Sequence, residues 1–137
     1  MSSSTSDRKK RRRRKRKGHY HRGNHVSPKA GECRYRSGWE LKYMEWLDGN
    51  PDVVSYSYEK VVIDYTSNKR TGKQRKYYPD FLVEYSDRKE LVEIKPSKRL
   101  VQARVKKKLE AATAWCLAHG VLLKVMTEHG LKELGLL

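Results

Sequence analysis

One stretch restricts this chain more than any other. Tyr78-Pro79-Asp80-Phe81-Leu82-Val83-Glu84-Tyr85 and Glu90-Leu91-Val92-Glu93-Ile94-Lys95 are short runs rich in Val, Ile, Tyr and Phe, with Ser86-Asp87-Arg88-Lys89 between them. Such residues fit the pleated surface of a sheet, and the polar segment fits a tight turn, so the stretch predicts a β-hairpin. Side chains alternate faces along a strand. Leu91, Glu93 and Lys95 therefore share one face, Val92 and Ile94 the other, and Asp80, Leu82 and Glu84 share a face of the first strand. Pairing Tyr85 with Glu90 puts Leu82 opposite Glu93 and Asp80 opposite Lys95. Asp80, Glu93 and Lys95 then converge on one patch, whereas a slip of one residue would bring Ile94 there instead.

Cross-strand neighbours lie about 5–8 Å apart. Two carboxylates and an ammonium at that spacing form an oxygen-rich site suited to a hard divalent ion such as Mg²⁺. Acids that hold a cation, and a lysine that orients water, are the groups that metal-assisted hydrolysis of a phosphodiester uses. The same residues also fit an ordinary amphipathic hairpin with solvated charges. The spacing of Pro79-Asp80 and Glu93-Ile94-Lys95 resembles that of the PD-(D/E)xK nuclease superfamily.

At 137 residues the chain has room for one domain. Its formal net charge is +16, and residues 8–17 hold 10 of its 32 Lys and Arg, leaving 22 against 16 Asp and Glu elsewhere. A polybasic run on a basic body points to a polyanion, most often nucleic acid. Cys33 and Cys116 have no paired spacing, so no disulfide framework is expected and a reducing compartment is. No apolar run reaches the roughly 18 residues of a membrane span. No apolar segment follows the N-terminal charges, so no secretory signal is read there.

Residues 1–35 carry few apolar side chains and are expected to form a flexible basic arm. The cations Arg8, Lys9, Lys10, Arg11, Arg12, Arg13, Arg14, Lys15, Arg16 and Lys17 would bind phosphates there, or simply solubilise a tail. The spacing of His19, His21, His25 and Cys33 fits no usual zinc pattern. Ser37-Gly38-Trp39-Glu40 opens a helix whose stripe is Trp39, Tyr43, Trp46 and Leu47, and Asp48-Gly49-Asn50-Pro51 closes it. Ser37 and Glu40 fit a capping box; alternatively Glu40 is a third acid beside the metal. Strands are predicted at 53–58 and 60–65, then a basic loop at 66–76 with Lys69, Arg70, Lys73 and Arg75. Val101, Val105, Leu109, Ala112 and Cys116 mark a helix at about 98–118, whose outer face carries Arg99, Arg104, Lys106, Lys107 and Lys108. A buried strand at 121–126 and a short helix at 128–134 close the chain. This order predicts an α/β domain over 36–137 with a mixed central sheet flanked by helices, the order of a restriction-endonuclease-like core.

From Tyr35 to Pro96 the likeness becomes closer. Tyr35-Arg36-Ser37-Gly38-Trp39-Glu40, Trp46-Leu47-Asp48, Pro51-Asp52-Val53-Val54, Tyr78-Pro79-Asp80-Phe81 and Val92-Glu93-Ile94-Lys95-Pro96 together resemble the T4-type bacteriophage head completion nucleases and the N-terminal catalytic domain of TnsA-type transposon endonucleases. The resemblance implies a DNA endonuclease in which Glu40 is the helix acid, Asp80 and Glu93 are the metal carboxylates, and Lys95 is the catalytic lysine. It further implies Mg²⁺, with Mn²⁺ as a substitute, held also by the main-chain carbonyl of Ile94 and, through water or a second ion, by Glu40. The head completion group implies capsid or portal proteins as partners besides DNA, no membrane, and a place in the virion or the host cytoplasm. The short chain after the core favours that group over a transposon endonuclease subunit. A non-catalytic DNA-binding assembly protein on the same fold is the other alternative, and nothing in the four site residues looks degraded.

Overall fold

The structure, a computed structural model, describes residues 21–137. Two short strands, β1 (Gly23–Ser27) and β2 (Gly31–Tyr35), precede helix α1 (Gly38–Gly49). Strands β3 (Val53–Tyr58), β4 (Ile63–Asn68), β5 (Lys73–Tyr77), β6 (Phe81–Tyr85) and β7 (Lys89–Ile94) follow. A 3-10 turn (Ser97–Arg99), helix α2 (Ala103–His119), strand β8 (Leu122–Met126) and helix α3 (Glu128–Glu133) complete the order. The central sheet runs β3-β6-β7-β8; β7 and β8 are parallel and its other pairs antiparallel. The expected mixed sheet with flanking helices is what the chain forms.

The sheet is covered on both faces because its two central strands are apolar on both. Phe81, Val83, Val92 and Ile94 pack with Tyr43, Met44 and Leu47 of α1 on one side. Leu91, Ala112, Cys116 and Val121 pack with Ile63, Tyr65 and Tyr77 on the other, so α2 and the β4–β5 hairpin form the second layer. Phe81 is fully buried among the rings of Tyr43, Tyr56 and Tyr58. Truncating such a ring costs about 3–5 kcal/mol.

The β6–β7 register differs from the expected one. Val83, not Tyr85, pairs with Glu90, and Phe81 pairs with Val92. The turn is tighter, closed by Tyr85 N–H donating to Arg88 O at 2.8 Å. The slip is two residues, one full period of the strand, so every side chain keeps its face.

Three other expectations are corrected. Residues 23–35, expected in a flexible arm, form the β1–β2 hairpin; the polybasic run at 8–17 and His19 lie outside the described residues. Polar groups do there what a core would do elsewhere. Asp48 of α1 accepts from Ser27 Oγ at 2.6 Å and Tyr56 OH at 3.0 Å and pairs with His25 Nε2 at 2.6 Å, while Lys29 Nζ caps the helix end at Leu47 O, 2.8 Å away. Residues 66–76, expected as a loop, hold the end of β4 and most of β5, because Tyr65 pairs with Arg75 and Ile63 with Tyr77. The helix expected from 98 begins at Ala103, after the 3-10 turn, and leaves Val101 exposed. It ends where Gly120 adopts φ +67°, a left-handed conformation that favours glycine.

Candidate active site

Asp80 sits just before β6 and Glu93 near the end of β7. Continuing the β6–β7 register by one residue sets them side by side. Asp80 N–H donates to Glu93 Oε2 at 3.3 Å, and Ile94 N–H donates to Asp80 Oδ2 at 2.7 Å. Lys95 Nζ lies 3.4 Å from Glu93 Oε1. The hairpin thus brings Asp80, Glu93 and Lys95 together on one face. Glu40 reaches the same cleft from the first turn of α1. Ser37 caps that helix, its Oγ accepting from Glu40 N–H at 3.2 Å. The other half of the expected capping box is displaced by one residue: Glu40 Oε1 accepts from Arg36 N–H at 2.7 Å and from Tyr58 OH at 2.6 Å. Glu40 is therefore both a structural acceptor at the helix start and a lining group of the cleft.

The cleft has a volume of about 610 Å³, and its walls include Glu40, Asp80, Glu93, Ile94, Lys95, Arg36 and Trp39. Glu40, Asp80 and Glu93 are buried. Burial pushes all three carboxyls above their ordinary range. At Asp80 the charges of Glu93 and Glu40 push further in the same direction, and Ile94 N–H and Lys95 oppose them. At Glu93 Lys95 is the main opposing influence, followed by Tyr77 OH, which donates to Oε2 at 2.7 Å. The acids thus outweigh the positive charge set among them.

Tyr58 and Tyr77 are the site residues that sequence reasoning missed. Each phenol is driven upward by burial and by the carboxylate it touches, so each is a firm donor. Tyr77 stands three residues before Asp80, a proximity that could have flagged it; nothing in the sequence marks Tyr58.

The expected phosphate-binding cations separate into groups. Arg99 and Lys108 line the acid cleft; Lys73, Arg75, Arg104, Lys107 and Lys108 line a neighbouring groove. Lys69 and Arg70 stand exposed at the β4–β5 tip, and Lys106 is exposed on α2. Among the described residues no group of three or more His, Cys, Asp or Glu is placed to hold a metal ion. A cation here would therefore rest directly on Asp80 and Glu93, with Glu40 farther out. The chemistry of the donors fits a hard divalent ion: two adjacent buried carboxylates, short of positive charge, opening into a cleft.

A mixed sheet with a helix acid, a buried Asp at a strand start and Glu-x-Lys on the next strand defines a restriction-endonuclease-like nuclease domain. The chain belongs to the TnsA-like endonuclease N-terminal family, whose sequence profile matches residues 50–128, more than half of its length. That match takes in Asp80, Glu93 and Lys95 and begins after Glu40. The chain is also similar to the head completion nuclease of Enterobacteria phage T4, 33% identical over 124 aligned residues that span 74% of this chain and 82% of that protein.

Proposed function

We propose that this chain is a metal-dependent DNA endonuclease of the head completion type, acting in virion assembly. The observation that carries the catalytic reading is the Asp80–Glu93–Lys95 juxtaposition, two buried acids and one ammonium at the foot of an open cleft. Asp80 and Glu93, with the main-chain carbonyl of Ile94, would hold Mg²⁺ or Mn²⁺, and Glu40 would act through water. Bound there, the ion would offset charge on the phosphate and acidify water. The chain's own residues do the positioning. Tyr77 OH and Asp80 N–H fix one oxygen of Glu93, and Ile94 N–H fixes one oxygen of Asp80. Lys95 orients the attacking water against the phosphate, and the surrounding cations seat the backbone. Phosphate contacts carry no sequence information, so low sequence specificity or a structure preference is expected.

The assembly role rests on likeness along most of the T4 head completion nuclease, and capsid or portal proteins are the partners it brings with it. The place of action would then be the virion or the host cytoplasm; among the described residues no helix is long and apolar enough to cross a membrane. The family match favours a second reading, a transposon endonuclease subunit. Supercoiled plasmid incubated with the protein and Mg²⁺ should be nicked, and EDTA or Asp80→Asn should stop it. Nicking that persists in both controls would overturn the catalytic reading, and absence of nicking with Mg²⁺ or Mn²⁺ would leave a DNA-binding assembly protein. Capsid genes beside the coding sequence would support the assembly role, and transposition genes the second reading.

A further inference from the structure

Two further clefts open from the acid cleft, and they share no lining residue with each other. One joins it through Arg22, Arg36 and Glu59; its charged walls are Arg22, Arg34 and Arg36 against Glu32 and Glu59, and Glu59 already pairs with Arg36 at 3.0 Å. The other joins it through Lys76 and Lys108. Its walls hold Lys73, Arg75, Lys76, Arg104, Lys107 and Lys108 and, among the described residues, no acid.

This second groove is made by two periodicities meeting. Along β5, Lys73, Arg75 and Tyr77 alternate onto one face. Along α2, Arg104, Lys107 and Lys108 fall at the i, i+3, i+4 spacing of one helical face. Lys107 Nζ donates to Ser67 O at 2.8 Å, tying the helix to the hairpin, and Lys108 Nζ stands 5.7 Å from the Tyr77 ring centroid. Among the described residues Lys76 is the one groove cation in an ion pair, with Asp64 at 3.2 Å, both exposed, while Lys108 also lines the acid cleft and feels the charge of Glu93. The face that carries Lys73 and Arg75 ends at Tyr77, whose hydroxyl holds Glu93. The row of cations therefore leads directly to the acids.

We propose that the protein grips DNA mainly on one side of the cut, along this β5–α2 groove, and makes few demands on the backbone on the other side. The proposal rests on the endonuclease reading above. Four strand steps separate Lys73 from Tyr77, about 13 Å at 3.3 Å per step. Because a DNA strand winds as it rises about 3.4 Å per phosphate, that length spans about two to three phosphates, and the Tyr77 ring that separates the row from Glu93 adds about one more. Among the described residues, the cations of the cleft at Arg22 and Arg34, partly neutralised by Glu32 and Glu59, offer no comparable row. The substrate this defines is a phosphodiester with about four nucleotides of backbone on the groove side and as little as one on the other. Bonds close to a terminus are then accessible from one end only.

The test uses the full chain, Mg²⁺ and short duplexes labelled at the 5′ or the 3′ terminus of one strand. The readout is the distance from each terminus to the nearest cut. Cuts should approach one terminus to within one or two nucleotides and stop about four short of the other. In Lys73→Ala/Arg75→Ala, whose side chains are exposed and bury nothing, the two distances should converge. The same variant should flatten the salt dependence of DNA binding by about 1.8 log units per log unit of salt, two phosphates' worth. Arg22→Ala/Arg34→Ala should keep the asymmetry. Equal distances in the unaltered protein would overturn the one-sided grip, as would asymmetry lost with the arginine pair but kept without Lys73 and Arg75. Absence of any cutting would count against the endonuclease reading instead, and the salt slopes would still test the groove.

Discussion

Helix α1 carries an acid near each end, and the two have opposite surroundings. Asp48, near its C-terminus, is met by Ser27, His25 and Tyr56, and those hydrogen bonds outweigh its burial and hold its carboxyl below the ordinary range. Glu40, near the N-terminus, faces the Asp80–Glu93 pair, and burial raises all three. A carboxylate whose donors match its charge is a fastener, here holding β1–β2 to α1. A buried carboxylate cluster with fewer donors per charge, six for three acids, is a place for a cation to land. Burial and donors both distinguish the two: Asp48 is half-buried with three partners for its one charge, whereas Glu40, Asp80 and Glu93 are buried with about two donors per charge.

The comparison breaks most decisively at Asp80. Asp80→Ala should abolish metal-dependent nicking, a loss of several orders of magnitude, while the thermal midpoint without metal changes little, because removing repulsion with Glu93 offsets the acceptor lost to Ile94 N–H. A folded, fully active Asp80→Ala protein would remove the distinction between the two ends. Asp48→Ala should do the reverse: about 2–3 kcal/mol of stability lost, because His25, Ser27 and Tyr56 lose their acceptor, with nicking retained in the folded fraction. Urea unfolding and a plasmid assay on the same samples check both.

Glu40→Gln separates the two roles of that residue. Gln can still accept from Arg36 N–H and Tyr58 OH, so stability should change by less than about 1 kcal/mol, the scale of a helix cap. Activity should nonetheless fall if the negative charge serves the metal. An active Glu40→Gln enzyme would leave Glu40 a fastener like Asp48.

The smallest effect is in pH. Asp80 and Glu93 are raised in the folded state, so without metal the folded protein binds more protons than the unfolded chain between the ordinary carboxylate pKa of about 4 and their folded values. Acidification through that window should stabilise the protein, and Asp80→Asn should blunt the gain. Asp48 is lowered, so its contribution is present above about pH 4 and is lost as pH falls through its folded value, a loss that Asp48→Asn should not show. Thermal midpoints across pH for the three proteins read both slopes.

The hairpin, the helix acid and the mixed central sheet were legible in the sequence because period-2 and helical patterns are strong over 37–58 and 78–126. The wrong register did no harm at the site, since a two-residue slip preserves which face Asp80, Glu93 and Lys95 occupy. What stayed hidden lacked a pattern. Strand β5 reads Lys-Gln-Arg-Lys-Tyr, four exposed polar residues before one buried ring, and its strand character comes from pairing with β4 rather than from its own residues. Strands β1 and β2 bury little besides Cys33, Tyr35 and Ser27, and depend on Asp48 and Lys29 contacts made across 18–23 residues of sequence. Tyr58 was invisible as a donor for the same reason, since tertiary placement, not spacing, gives it a carboxylate; Tyr77 had only its nearness to Asp80 to mark it.

Lys95 has one further dependence. Its N–H donates to Met126 O at 3.0 Å, and just beyond it Ser97 N–H and Oγ both donate to Glu128, each at 2.8 Å. The backbone on which the lysine stands is thus splinted by residues 126–128. A ribosome delivers the chain from its N-terminus at about 5–20 residues per second. The acids at 40, 80 and 93 therefore emerge well before the segment that steadies their lysine. A nascent chain would carry the ingredients of the site without its geometry until residues 126–128 have been made.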